Sequence, residues 1–139
     1  MTERIDWSRM RAPSLEDFQI LADAAYAALP PEFRALCEGI VIHIEDFPDE
    51  ETLEDLECET EFDLLGLFRG RGLAQRGATA QTGEFPNMVW LYRRPIVDYW
   101  AEHDEALGDI VTHVLVHEIG HHFGFSDDDM EAIEAAAER

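Results

Sequence analysis

The chain contains no lysine: all ten of its basic residues are arginine, set against 31 aspartates and glutamates for a formal charge of -21. So acidic a balance repels phosphate backbones and anionic lipid surfaces at long range, and neither nucleic acid nor a membrane is an expected partner. Cysteine is scarce. Cys37 and Cys58 form no CxxC pair, which excludes a disulfide framework and leaves two reduced thiols as the expectation. Long hydrophobic runs are missing as well: the chain nowhere strings together the ~18 apolar residues of a membrane span. Its opening, MTERIDWSRMRAP, has no apolar segment of the kind a secretion signal requires. A soluble, cytoplasmic protein is expected. Core-forming residues are plentiful, with 46% hydrophobic residues including 8 Phe, 3 Trp and 3 Tyr among 139. That length supports one packed interior and not two, so residues 1–139 are expected to form one domain.

Patterning along the chain places its elements. PSLEDFQILADAAYAALPP has Ser14 three residues before Asp17, a capping-box-like start, followed by Phe18, Leu21, Ala22, Ala25 and Leu29 at helical spacing until Pro30 and Pro31 stop the helix. GIVIHIEDF alternates Ile40, Ile42 and Ile44 with Val41, His43 and Glu45, the period of a strand with one buried face, which leaves His43 on the more polar side. DEETLEDLE reads as a short helix with acids in its first turn. LLGLF at 64–68 and MVWLY at 88–92 read as strands, with a glycine-rich segment over 70–87 between them. The GRG in that segment is not a phosphate cradle, since no GK[ST] follows. Five arginines (Arg69, Arg71, Arg76, Arg93, Arg94) fall mid-chain. Internal pairing with the acidic run at 45–63 is their expected role, and a patch for a substrate carboxylate is the alternative. From Glu105, the residues Leu107, Ile110, Val111, Val114, Leu115 and Ile119 recur around a largely buried helix. Gly124 stands at its left-handed C-cap position, and Ser126 caps a last helix that begins with three aspartates.

On the buried helix lies His117-Glu118-Ile119-Gly120-His121. Four residues of α-helix bring two imidazoles to one face about 6 Å apart along the axis, close enough to share an ion. Glu118 then stands beside them as a carboxylate that is not itself a ligand. Zinc lowers the pKa of a water it holds to about 7, so a carboxylate in that place can act as general base at neutral pH for attack on a carbonyl. Shuffling this composition, with its 6 His, would produce HExxH in about 3% of chains; requiring Gly124 and Asp127 at their offsets lowers this to roughly 2 in 10,000. A buried helix carrying histidines and a glutamate to no purpose would also be costly, because each polar group would be desolvated without compensation.

HExxHxxGxxD resembles the metzincin zinc signature with aspartate as third ligand, and the wider sequence is similar to a small family of bacterial zincin-like metallopeptidase proteins. The likeness is carried by LPPEFRALCEGIVIHIEDFPDEETLEDL, LLGLFRG, WLYRRPI and HEIGHHFGFSDDDM, together most of the chain between Pro30 and Met130. It implies an α+β zincin-like domain with a small mixed sheet, an active-site helix and a C-terminal helix. It also implies one Zn²⁺ held by His117, His121 and Asp127, with Glu118 as catalytic base. The candidates left open for the third ligand are Asp128 and His113; an ordinary helix histidine or an outer partner of the site is the plainer reading of His113. His103 and His122 read as surface or packing residues, and Tyr92 and Tyr99 as core aromatics or as donors to an oxyanion.

Two departures from the metzincin pattern bear on activity. Met130, the sole methionine after the motif, falls inside the last helix rather than in a separate Met-turn, and only twelve residues follow Asp127. No lower subdomain is expected, so the cleft should be open unless a partner or the 70–87 segment closes it. A thermolysin-like glutamate from a later helix is not expected to complete the site, for want of chain. The expected function is a zinc-dependent hydrolase acting on a peptide or protein substrate, with LLGLF as the edge strand that receives the peptide. The alternative is a zinc-stabilised module that binds a protein partner.

Overall fold

The computed structural model describes residues 4–70 and 86–137. Most of the glycine-rich 70–87 segment, with Arg71 and Arg76, lies outside them. Six helices are described, α1 (Leu15–Ala27), α2 (Pro31–Arg34), α3 (Glu50–Asp55), α4 (Arg93–Glu102), α5 (Leu107–His122) and α6 (Asp127–Ala137), with three strands, β1 (Val41–Glu45), β2 (Gly66–Arg69) and β3 (Met88–Tyr92). The fold is α+β with a small mixed sheet, as the sequence led us to expect.

Local chemistry sets most of these boundaries. Ser14 Oγ accepts from the Asp17 amide at 3.0 Å while Asp17 Oδ2 accepts from the Ser14 amide at 2.8 Å, a full capping box at the start of α1. Asp49 caps α3 by accepting from the Thr52 amide at 2.8 Å. β3 is the central strand, parallel to β1 and antiparallel to β2, so β1 and β2 are the edges of the described sheet. Two expectations need correction. β2 begins at Gly66, two residues later than the apolar run suggests. RRPIVDYWAE, to which the apolar pattern assigns no element, is helix α4, where Pro95 is accommodated in the first turn, so Tyr99 lies on a helix and not beside a strand.

Helix α5 organises the interior. It buries Ile110, Val111, Val114, Leu115, Val116, Ile119 and Gly120. One side joins Phe18 and Ala22 of α1 and Val89 and Leu91 of β3 in the larger core; the other packs Val116 and Ile119 with Leu29, Phe33, Cys37 and Met130. At roughly 1.5–3 kcal/mol for each large apolar side chain buried, this double contact fixes α5 more firmly than its own helix propensity could. Among the described residues no helix is long and apolar enough to cross a membrane.

The α5–α6 turn then determines what faces what. The Phe125 amide donates to Gly120 O at 2.8 Å and the Gly124 amide to His121 O at 3.2 Å, a Schellman closure that Gly124 permits at φ +81°. Ser126 Oγ accepts from the Asp129 amide at 3.1 Å to start α6. Met130, fully buried, lies where a side chain at Gly120 would otherwise be: a Cβ there would fall 2.5 Å from Met130 Sδ. The absent Cβ lets α6 lie close along α5, with Glu134 toward the histidines.

Candidate metal and peptidase site

Three histidines stand one helical turn apart on α5. The rings of His113 and His117 are 3.9 Å apart between centroids, and those of His117 and His121 are 5.5 Å apart. Opposite them, α6 supplies Glu134. Its Oε1 is hydrogen-bonded to His113 Nδ1 at 3.0 Å, and its Oε2 lies 3.4 Å from His117 Nε2. That Oε2 is buried and makes no hydrogen bond. Among the described residues, His113, His117 and Glu134 are the group whose ligand atoms all lie within 4.8 Å of one another. His121 and Asp127 fall outside this tight group. Both nevertheless act on His117. Burial is the main force holding the His117 pKa below its ordinary value; His113 and His121 add to the depression, while Glu134 and Asp127 oppose it.

Glu134 overturns the expectation that no later glutamate could reach the histidines. The eleven residues of α6 are chain enough, and the sequence carries a signal for it. Glu134 lies seven residues, two helical turns, after Asp127 and therefore on the same side of α6. The three aspartates at the start of α6 are also distinguished by their contacts: Asp129 is engaged with Ser126 in the cap, whereas Asp127 contributes to the field at His117.

Glu118 points elsewhere, about 100° around the helix from His117. It lies against β2, where a Cβ on Gly66 would fall 2.8 Å from Val114 Cγ1 and 3.3 Å from Glu118 Cγ. Gly66 thus serves the close approach of the strand to α5. Burial pushes the Glu118 carboxyl up to about 7 from 4.5. His122 packs on Phe68 with centroids 4.2 Å apart, and burial lowers its pKa. His43 stacks on Trp90 at 4.9 Å, and His103 on Tyr99 at 3.7 Å. Tyr92 is buried at the end of β3 with its hydroxyl pushed up to about 12, burial being the largest cause.

Does this donor set fit a metal? Imidazole nitrogens with carboxylate oxygens are zinc ligands, and at metal–ligand bonds of about 2.0–2.1 Å the ligand atoms of a tetrahedral site lie about 3.3 Å apart. Glu134 approaches the two imidazoles through different oxygens, Oε1 3.0 Å from His113 Nδ1 and Oε2 3.4 Å from His117 Nε2, and one ligand atom from each of the three residues lies within 4.8 Å of the others. A buried Oε2 that makes no hydrogen bond and faces an imidazole nitrogen has acceptor capacity to spare for a cation.

Residues 37–137 match the family described as zincin-like metallopeptidase. The chain belongs to that family. Membership carries with it the zincin-like α+β fold and implies a metal, typically zinc, in a metallopeptidase. Comparison with individual curated proteins finds no match.

Proposed function

We propose that this zincin-like protein is a zinc-dependent peptidase in which His117, His121 and Asp127 hold the ion for catalysis and Glu118 is the general base. Zinc bound there would supply Lewis acidity, making water a better nucleophile and a carbonyl a better electrophile. The observation that carries the reading is Glu118 itself: a carboxyl next in sequence to His117, pressed against an edge strand, with its pKa raised to about 7 by burial. A carboxyl that burial makes reluctant to ionise takes up a proton more readily than an ordinary surface glutamate.

The substrate would lie extended along β2. Among the described residues that strand pairs with β3 alone, so its other edge offers backbone donors and acceptors to a peptide. A charge of -21 supports a peptide or protein substrate over nucleic acid or an anionic membrane. Glu118→Gln should keep fold and zinc while lowering peptide hydrolysis by about 10²- to 10⁴-fold, the range for loss of a general base. Loss of zinc in that variant would make Glu118 a ligand and sink the mechanism. One observation favours the rival, a zinc-stabilised binding module: Glu134 beside His117 could complete a four-ligand protein shell. Under that reading wild type hydrolyses no peptide and Glu118→Gln changes nothing.

A further inference from the structure

The sequence HVLVHEIGH contains two overlapping histidine pairs of the same spacing, His113 with His117 and His117 with His121. Glu134 contacts the first pair, and Asp127 acts on the histidine shared with the second. We propose that His113, His117 and Glu134 form a second zinc position, one helical turn from the HExxH position, and that the two positions exclude each other because both require His117. The inference rests on the reading of His117, His121 and Asp127 as the catalytic ligands.

Three observations carry it. The ligand atoms of His113, His117 and Glu134 are already gathered within 4.8 Å. Glu134 Oε2 is buried, has no hydrogen-bond partner and lies 3.4 Å from His117 Nε2. That nitrogen has one lone pair and can hold one ion at a time. The second position is catalytically silent for a geometric reason. Seen down the helix axis, Glu118 is about 60° from His121 but about 140° from His113, so the base serves the HExxH position and turns away from the other. Zinc would therefore partition between a working and a resting position, and total zinc content would overstate the active fraction.

Zinc titration of the purified full chain, read as stoichiometry and as affinity against a competing chelator, tests this. Wild type should bind one zinc per chain. The double variant His121→Ala/Asp127→Ala, at two exposed positions, should still bind one, through the remaining set. His113→Ala/Glu134→Gln should also bind one and should show more hydrolysis per bound zinc than wild type. His117→Ala should bind none. If His113 and Glu134 merely orient His117, their removal should weaken zinc about 10- to 100-fold, and His121→Ala/Asp127→Ala should bind none. Either of those results overturns the second position, as does a wild-type stoichiometry of two. Should the His121→Ala/Asp127→Ala protein fail to fold, His121→Asn alone serves, with the proton resonances of the His113 ring required to shift when zinc is added. A wild type that takes up no zinc would instead sink the proposed function, a separate and distinguishable failure.

Discussion

Carboxylates crowd two regions of this molecule, and they are used in opposite ways. Around β1 and α3 they are satisfied. Asp49 caps α3, Asp46 accepts from Arg93 Nε at 2.6 Å, and Asp63 accepts from the amides of Glu59 and Thr60 and from the Thr60 hydroxyl. Hydrogen bonds from Thr52 hold the Asp49 pKa below its ordinary value, and those from Thr60 do the same for Asp63. Along α5 and α6 the situation reverses. Glu118 is pushed up by burial, and Glu134 keeps a buried oxygen without a partner. The acidic region also holds a cleft of about 350 Å³, lined by Glu45, Asp49, Glu51, Asp55, Arg69 and Tyr92. The two regions differ in hydrogen-bonding capacity: the carboxylates that cap α3 and turn the chain at Thr60 are met by donors, whereas Glu134 Oε2 beside His117 is not, and acidity or concavity alone does not distinguish them.

The largest expected effect breaks the histidine region alone. With free zinc about a thousandfold above its Kd, binding to the folded state adds about 4 kcal/mol to stability. His117→Ala should abolish that increment, and a chelator should remove it from wild type. Thermal or urea unfolding with and without zinc measures both. An unchanged zinc increment in His117→Ala would place the ion elsewhere and dissolve the contrast between the two regions.

A smaller effect isolates Glu118 in the metal-free protein. Its folded pKa of about 7 lies above the ordinary 4.5, so the folded state holds the proton more tightly than the unfolded chain. The associated stability is fully present below pH 4.5 and is lost as pH rises through 7. A shift of that size corresponds to at most roughly 3 kcal/mol. Urea unfolding in chelator at pH 5 and pH 8 should show wild type losing more stability than Glu118→Gln over that interval. Parallel slopes would mean that the carboxyl is solvated, and the functional contrast with Asp49 would be blunted.

How much of this was legible beforehand follows from which signals are local. The capping boxes, the period of α5, Gly124 and HExxH are written within a few residues, and the sequence reading placed them correctly. Helix α4 was not legible, because Pro95 and the branched and aromatic residues after Arg94 blur its apolar pattern, while burial of Pro95 and Ile96 against the core decides it. Gly66 could be read as a bulge or an open approach; only the packing of β2 on α5 reveals that Val114 and Glu118 occupy the space. Glu134 depends on the turn at Gly124 and on Met130 seated over Gly120. Gly124 is legible as a cap, but the seating of Met130 over Gly120 is a tertiary fact whose sequence signature is faint. The arginines divided similarly: Arg93 pairs with Asp46 as expected, whereas Arg94 lies over the Phe47 ring at 5.4 Å.

The smallest expected effect sharpens the comparison from the acidic side. Strand alternation puts Gly66 and Phe68 toward α5 and Leu67 and Arg69 toward the α3 cleft, so Asp49 and the histidines lie on opposite faces of the sheet. Asp49 is exposed, and between exposed charges the field is largely screened beyond about 8 Å at physiological salt. Asp49→Ala removes the cap from α3 and should lower the melting temperature slightly, because the Thr52 amide loses its acceptor. Zinc affinity should stay within about twofold of wild type at physiological salt, since the screened field is all that reaches the site. A larger loss that disappears at high salt would show the acidic face concentrating the cation for the histidines, and the two carboxylate regions would then act as one electrostatic unit.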